Sequence, residues 1–174
     1  SFDNVDSFVL HDRAVIDVEG IGKTEAAIAY GGDFYAFVDA DRIGLELSPH
    51  NDGKLIDTWR RVRAAVGNQL KTVHPERPDI DVCYQVLFTS ARKTTGDYKQ
   101  TILCPPGSID RSPCGTGTSA RVALLYTRGE IGLNQPRKFE GVLGTYFTGE
   151  AVKAEKRGGI TYVRPRVTGR AYIT

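Results

Sequence analysis

Cys114 lies in the run Asp110-Arg111-Ser112-Pro113-Cys114-Gly115-Thr116-Gly117-Thr118-Ser119-Ala120, directly before the apolar stretch Ala120–Tyr126. That order predicts a thiol at the amino end of a buried helix. The unpaired backbone N–H groups and the dipole at a helix amino end favour negative charge. A thiol held there tends towards the thiolate, the reactive form, and the same N–H groups can hold a carboxylate. Asp110, four residues earlier, offers a counter-charge for a cationic group. A carboxylate beside a thiol disfavours the thiolate unless a cation is also present, and a substrate ammonium would supply one. An amino acid would satisfy the whole arrangement, its carboxylate on the Gly115 and Thr116 amides and its nitrogen on Asp110.

Each of these residues also has a plainer reading. A cysteine can be buried simply to pack. Against that, Pro113 ends a polar loop, Gly115 and Gly117 keep side chains away from the helix mouth, and Thr116, Thr118 and Ser119 line it with hydroxyls. Asp110 could instead cap loop N–H groups or pair with Arg111. Gly115–Ala120 also fits GxGxxA, the dinucleotide fingerprint. That fingerprint requires a strand immediately before its first glycine, where this chain has a proline-containing loop. Cys83 reads as structural, and Cys104 could pack or line the same pocket. His11, His50 and His74 are scattered, and no spacing supports a zinc site or a hydrolase triad, so no metal is expected.

Several elements must position these groups. Ala14–Glu19 and Glu25–Tyr30 read as a hairpin joined at Gly20–Lys23. Gly31-Gly32 reads as a turn or bulge, with close backbone approach to a ligand as the alternative. Phe34–Val38 is an aromatic-rich strand. After Asn51-Asp52-Gly53, residues Leu55, Trp59, Val62, Val66 and Leu70 form one stripe of a 3.6-residue period, an amphipathic helix that ends at His74–Pro78. Ile80–Thr89 is expected as a strand, Ser90–Lys99 as a loop and Thr101–Leu103 as a short strand. Phe139–Leu143, Tyr146–Lys153 and Ile160–Ile173 are expected as closing strands. The helix over Thr118–Arg128 is apolar nearly all round and must be enclosed. An α+β domain follows, with antiparallel strands curled around that helix.

The 174 residues fit one domain, 1–174, with room for a core. A net charge of +2 points to neither nucleic acid nor a membrane surface, and no apolar run approaches a bilayer span. Three cysteines without a scaffold spacing fit a reducing, cytoplasmic compartment. The chain begins at Ser1 and contains no Met, which suggests a piece of something longer.

The run Asp110–Ala120 resembles the second catalytic motif of the proline racemase and hydroxyproline 2-epimerase family. The resemblance extends from about Phe8 to Thr174 through Tyr30-Gly31-Gly32, Phe34–Val38, Asn134–Arg137, Phe147-Thr148-Gly149 and Val167–Tyr172. It implies a diaminopimelate-epimerase-like half, a β-barrel around a central helix. It also implies a cofactor-independent reaction in which two cysteines on opposite faces of the substrate α-carbon exchange its proton. Cys114 matches the second cysteine, Asp110 the acid on the ring nitrogen, and Gly115 and Thr116 the carboxylate-binding amides. The family's Cys-Gly-His motif, which carries the first thiol, is absent. The chain therefore resembles the carboxy-terminal half, missing the amino-terminal domain with the opposing thiol, and should be inactive alone. A homodimer is compatible with the resemblance. Related trans-3-hydroxyproline dehydratases carry Thr at the position of Cys114, so Cys114 favours inversion. Ile102–Pro105 resembles the hydroxyproline epimerases more than the proline racemases, which favours 4-hydroxyproline. The alternatives are dehydration of 3-hydroxyproline and a non-catalytic carboxylate-binding domain.

Overall fold

A computed structural model describes residues 1–170. In chain order the strands are β1 (Phe2–Asp3), β2 (Ser7–Val18), β3 (Gly22–Tyr30) and β4 (Phe34–Asp39). Helix α1 (Asp52–Gln69) is followed by β5 (Gln85–Ser90), β6 (Tyr98–Cys104) and β7 (Ser108–Ile109). Helix α2 (Gly115–Thr127) precedes β8 (Arg137–Glu140), β9 (Tyr146–Arg157) and β10 (Ile160–Thr168). Strand pairing runs β10-β2-β3-β4-β5-β6-β8-β9, and β9 pairs again with β10, so eight strands close into a barrel. β1 extends the sheet from β10, and β7 pairs with β6.

The α+β barrel around one helix matches the sequence expectation. Its pairing is mainly antiparallel, with two parallel contacts, β4–β5 and β6–β8. Parallel neighbours need a crossover connection. Helix α1 supplies the first across the outside, and α2 supplies the second through the lumen.

Two cores separate the helices. On the outer face, Ile16, Ile28, Phe34 and Phe88 pack with Leu55, Trp59, Val62 and Val66 of α1. The predicted stripe is thus the buried face of that helix. In the lumen, Ala27, Ala29, Tyr35, Phe37, Leu87 and Ile102 face Ala120 and Leu124 of α2. Alternation along β3 and β4 sends successive residues to opposite cores, which explains why Ala26–Tyr30 and Phe34–Val38 are apolar throughout.

An eight-stranded barrel has an interior just wide enough for side chains. A helix fits here because glycines stand where the wall comes closest to it. A methyl at Gly31 would collide with the Thr116 carbonyl and the Ala120 amide, and one at Gly149 would come within 2.9 Å of Thr118, Val122 and Phe139. Gly31 therefore does bring the backbone close to a neighbour, and that neighbour is the protein's own helix.

Several boundaries differ from the sequence reading. β5 begins at Gln85 because its pairing with β4 starts at Tyr35↔Gln85, leaving 80–84 without a strand partner. β6 begins at Tyr98, inside the expected loop, because Tyr98 and Lys99 pair with Phe139 and Glu140 of β8. β2 begins at Ser7; bulges around His11 disguise its alternation. β8 ends at Glu140, where Gly141 N–H turns to the Thr145 carbonyl. α2 starts at Gly115, one turn earlier than the apolar run indicates. β10 ends at Thr168, and the Ala171–Ile173 part of its expected span lies outside the described residues.

Candidate active site

The motif loop is tied by its own side chains. Asp110 Oδ1 accepts from Ser112 N–H at 2.8 Å, and Ser112 Oγ accepts from Cys114 N–H at 3.0 Å. Two successive side-chain turns of this kind hold an irregular segment rigid. They deliver Cys114 to the N-cap of α2 with φ 65°, ψ 126°. Positive φ is uncommon outside glycine and costs roughly 1–3 kcal/mol, sustained only where the surroundings over-determine it. Here Thr118 N–H donates to the Cys114 carbonyl at 3.0 Å, fixing the other side of the residue.

The Cys114 sulfur accepts from Gly117 N–H at 3.4 Å. The Tyr35 hydroxyl lies 3.5 Å from that sulfur and 2.6 Å from Thr116 Oγ1, and Thr116 Oγ1 lies 3.6 Å from the sulfur. Burial first, then the charge of Cys114, pushes the Tyr35 phenol far above its ordinary range, so Tyr35 stays a neutral hydroxyl. Among the described residues no acceptor reaches the Gly115 or Thr116 amides, as the geometry of a first helical turn requires. No acidic residue stands in that first turn.

The structure brings Cys114, Gly115 and Thr116 to one helix mouth, with Asp110 bonded into the loop that carries Cys114. Asp110 fills its plain capping role through one oxygen. Among the described residues it forms no ion pair, with Arg111 or any other cation, so Oδ2 remains available. The hydroxyls expected to line the mouth are used internally. Ser119 Oγ donates to the Gly115 carbonyl, Thr118 Oγ1 to the Pro113 carbonyl, and Thr116 Oγ1 pairs with Tyr35.

The remaining candidates separate cleanly. Cys83 is buried, its thiol directed at the Phe34 and Gln85 carbonyls and pushed up to about 12 by burial. Cys104 is half-buried; burial first, then the charges of Asp110 and Cys114, raise its thiol, placing it in the electrostatic reach of the motif. His74 is a satisfied core histidine. Its Nδ1 accepts from the Glu76 and Arg77 amides, and its ring meets Phe8 and Tyr30 edge-on. Among the described residues no group of His, Cys, Asp and Glu could hold a metal ion. Tyr35 escaped the sequence reading, because only the fold brings an aromatic of β4 to the thiol.

The sequence matches the family described as "Proline racemase" over residues 1–174. The chain belongs to the proline racemase family. It is 35% identical to a proline racemase of Clostridioides difficile over 175 residues, covering 100% of this chain and 52% of that protein. It is 39% identical to a trans-L-3-hydroxyproline dehydratase of Bos taurus over 176 residues, covering 99% of this chain and 50% of that protein. Among solved structures, a hydroxyproline epimerase from Agrobacterium vitis with bound trans-4-hydroxy-L-proline superimposes with a TM-score of 0.89 at 32% identity. That match covers 97% of this chain and 48% of the other. The chain thus spans about half the length of the relatives it matches. Among the described residues no helix is long and apolar enough to cross a membrane.

Proposed function

We propose that this chain is the thiol-bearing half of a cofactor-independent amino-acid epimerase acting on 4-hydroxyproline or proline, with Cys114 as one of two acid–base thiols. The observation that carries the reading is the Cys114 sulfur at a helix mouth whose Gly115 and Thr116 amides have no internal acceptor. The substrate carboxylate takes those amides, the ring nitrogen takes Asp110, and the α-carbon comes to the sulfur. A second domain supplies the opposing thiol. One thiolate takes the α-proton while the thiol opposite returns a different proton to the other face, so configuration inverts and the two sulfurs exchange protonation states. General acid–base work of this kind contributes typically 10²–10⁴-fold. The cytoplasm suits a reduced pair of thiols.

A second reading, dehydration of 3-hydroxyproline, is favoured by the 39% identity to the bovine dehydratase. Incubating the complete enzyme with each proline in D₂O and following the α-position by NMR decides between them. Inversion with deuterium uptake, lost about 10²–10⁴-fold in Cys114→Ser, supports the epimerase, and loss of water from 3-hydroxyproline without inversion supports the dehydratase. The 174-residue chain alone should invert neither substrate. Turnover by it, or inversion undiminished in Cys114→Ser, would discard the two-thiol assignment.

A further inference from the structure

Beneath Cys114 the lumen holds a polar column that packing alone does not call for. Gln100 of β6 is fully buried, and Arg121 of α2 is almost fully buried. Arg121 lies seven residues after Cys114 and three after Thr118, so the three share one helix face. Burying a guanidinium is costly, and an apolar residue of similar size would generally pack such a site at least as stably.

The column has one consistent direction. Arg121 Nη1 donates to the Lys99 carbonyl at 2.9 Å and to Gln100 Oε1 at 3.0 Å. The guanidinium lies over the rings of Tyr98 and Phe139, with centroids 5.0 and 5.7 Å away. Burial lowers its pKa to about 10, which leaves it a cation at neutral pH. A guanidinium only donates, so the Gln100 oxygen must face it. The Gln100 nitrogen then faces the other way, donating to the Pro113 carbonyl at 2.6 Å and to Thr118 Oγ1 at 3.1 Å. The flipped amide would set oxygen against oxygen at Pro113 and nitrogen against the guanidinium. Pro113 is the residue immediately before the positive-φ cysteine, and rotation of its carbonyl would turn the peptide that carries Cys114.

We propose that Gln100, held in a single amide orientation by Arg121, is a positioning residue that fixes the Pro113–Cys114 peptide and so aims the Cys114 sulfur. The proposal rests on Cys114 being an acid–base thiol. Misplacing a reacting group by about 1 Å can cost on the order of 10²-fold in rate without touching the chemistry directly.

The test uses two readouts. One is the rate of iodoacetamide alkylation of Cys114 in the 174-residue chain at pH 8, followed by peptide mass spectrometry. The other is kcat and KM for inversion by the complete enzyme. Gln100→Met should lower kcat about tenfold or more with KM within about twofold, and slow Cys114 alkylation about threefold or more. Gln100→Glu keeps an acceptor for Arg121 but cannot donate to Pro113, and should show the same loss of kcat. Arg121→Met should lose a similar factor, and the double variant with Gln100→Met should be no worse than either single one, since both act through one bond. A folded Gln100 variant with kcat and alkylation within about twofold of wild type would overturn the positioning role. If neither Gln100 variant folds, Arg121→Met, which removes the donor that orients the amide, is read instead, and unchanged kcat and alkylation there overturn the role equally. Cys114→Ser separates the two levels. Undiminished inversion in that variant removes the acid–base reading itself, whereas an inactive Cys114→Ser beside an unaffected Gln100→Met removes only the positioning role.

Discussion

Two clusters of successive backbone N–H groups end in opposite ways. In the loop before β6, the amides of Thr94, Thr95 and Gly96 all donate to Glu140 Oε2, at 2.8, 2.7 and 3.0 Å. At the mouth of α2, the amides of Gly115 and Thr116 find no internal acceptor, and that of Gly117 takes the Cys114 sulfur. The first cluster is closed by the protein's own carboxylate and the second is open. Glu140 shows what such a cluster does. Its carboxylate is buried, which alone would raise its pKa, yet the three amides bring it down to about 2. Under the proposed function an incoming carboxylate at α2 meets the same kind of donors, with the helix dipole added. The contrast also explains the composition of the mouth, since an acid in the first turn of α2 would fill it from within.

The contrast can be broken most severely by closing the open cluster. Gly115→Asp introduces a carboxylate where the nearest atom to a new Cβ is Phe2 Cζ at 3.4 Å, an ordinary van der Waals contact. Substrate affinity of the complete enzyme should fall about 100-fold by calorimetry, with little change in melting temperature. On the proposed reading, Asp110→Asn acts at the other end of the substrate. It keeps the acceptor for Ser112 N–H and removes the charge. Binding of proline should weaken about tenfold, while cyclopentanecarboxylate, which has no nitrogen, should bind as before. Equal losses for the two ligands would displace Asp110 from the ring nitrogen.

Opening the closed cluster gives the next effect. Glu140→Gln should destabilise the chain by roughly 2 kcal/mol in denaturant titration, because charge-assisted bonds become neutral ones. The pH dependence follows from the sign of the shift. A carboxyl whose folded pKa lies below its unfolded value stabilises fully above pH 4.5 and loses that contribution as pH falls towards 2. Wild type should therefore lose stability more steeply than Glu140→Gln over that range. His74 acts earlier in the acid limb. Burial depresses it below 6.5, so its protonation opposes the folded state as pH drops beneath that value. The smallest effect concerns α1, whose first turn already contains Asp52, bonded to Gly53 N–H at 2.7 Å. Asp52→Asn should cost about 0.5 kcal/mol of stability and leave ligand binding unchanged.

The two helices also divide what was legible from sequence. The stripe Leu55–Leu70 identified α1 directly, because an outer helix shows a polar side. In α2 the motif announced the thiol and the need for enclosure, but the apolar run hid the meaning of Arg121 and the true start at Gly115. Local pattern picked out Cys114, Asp110, Gly115 and Thr116 as candidates. It could not locate Tyr35, Gln100 or Glu140, whose roles come from β4, β6 and β8 meeting around one helix. The parallel pairs were invisible for the same reason: nothing in Phe34–Val38 or Tyr98–Lys99 records which distant strand lies alongside.

Threading α2 through the lumen has a consequence for motion. Loops that carry reactive groups usually open independently of the fold beneath them, but a helix walled in by eight strands cannot be released without parting those strands. The amide hydrogens of Val122–Leu125 should therefore exchange with deuterium only through events that dismantle the whole barrel. The Cys114 sulfur, seated at the end of that helix, shares the lifetime of the entire fold, and under the proposed function any closing movement around a substrate falls to what approaches the mouth from outside.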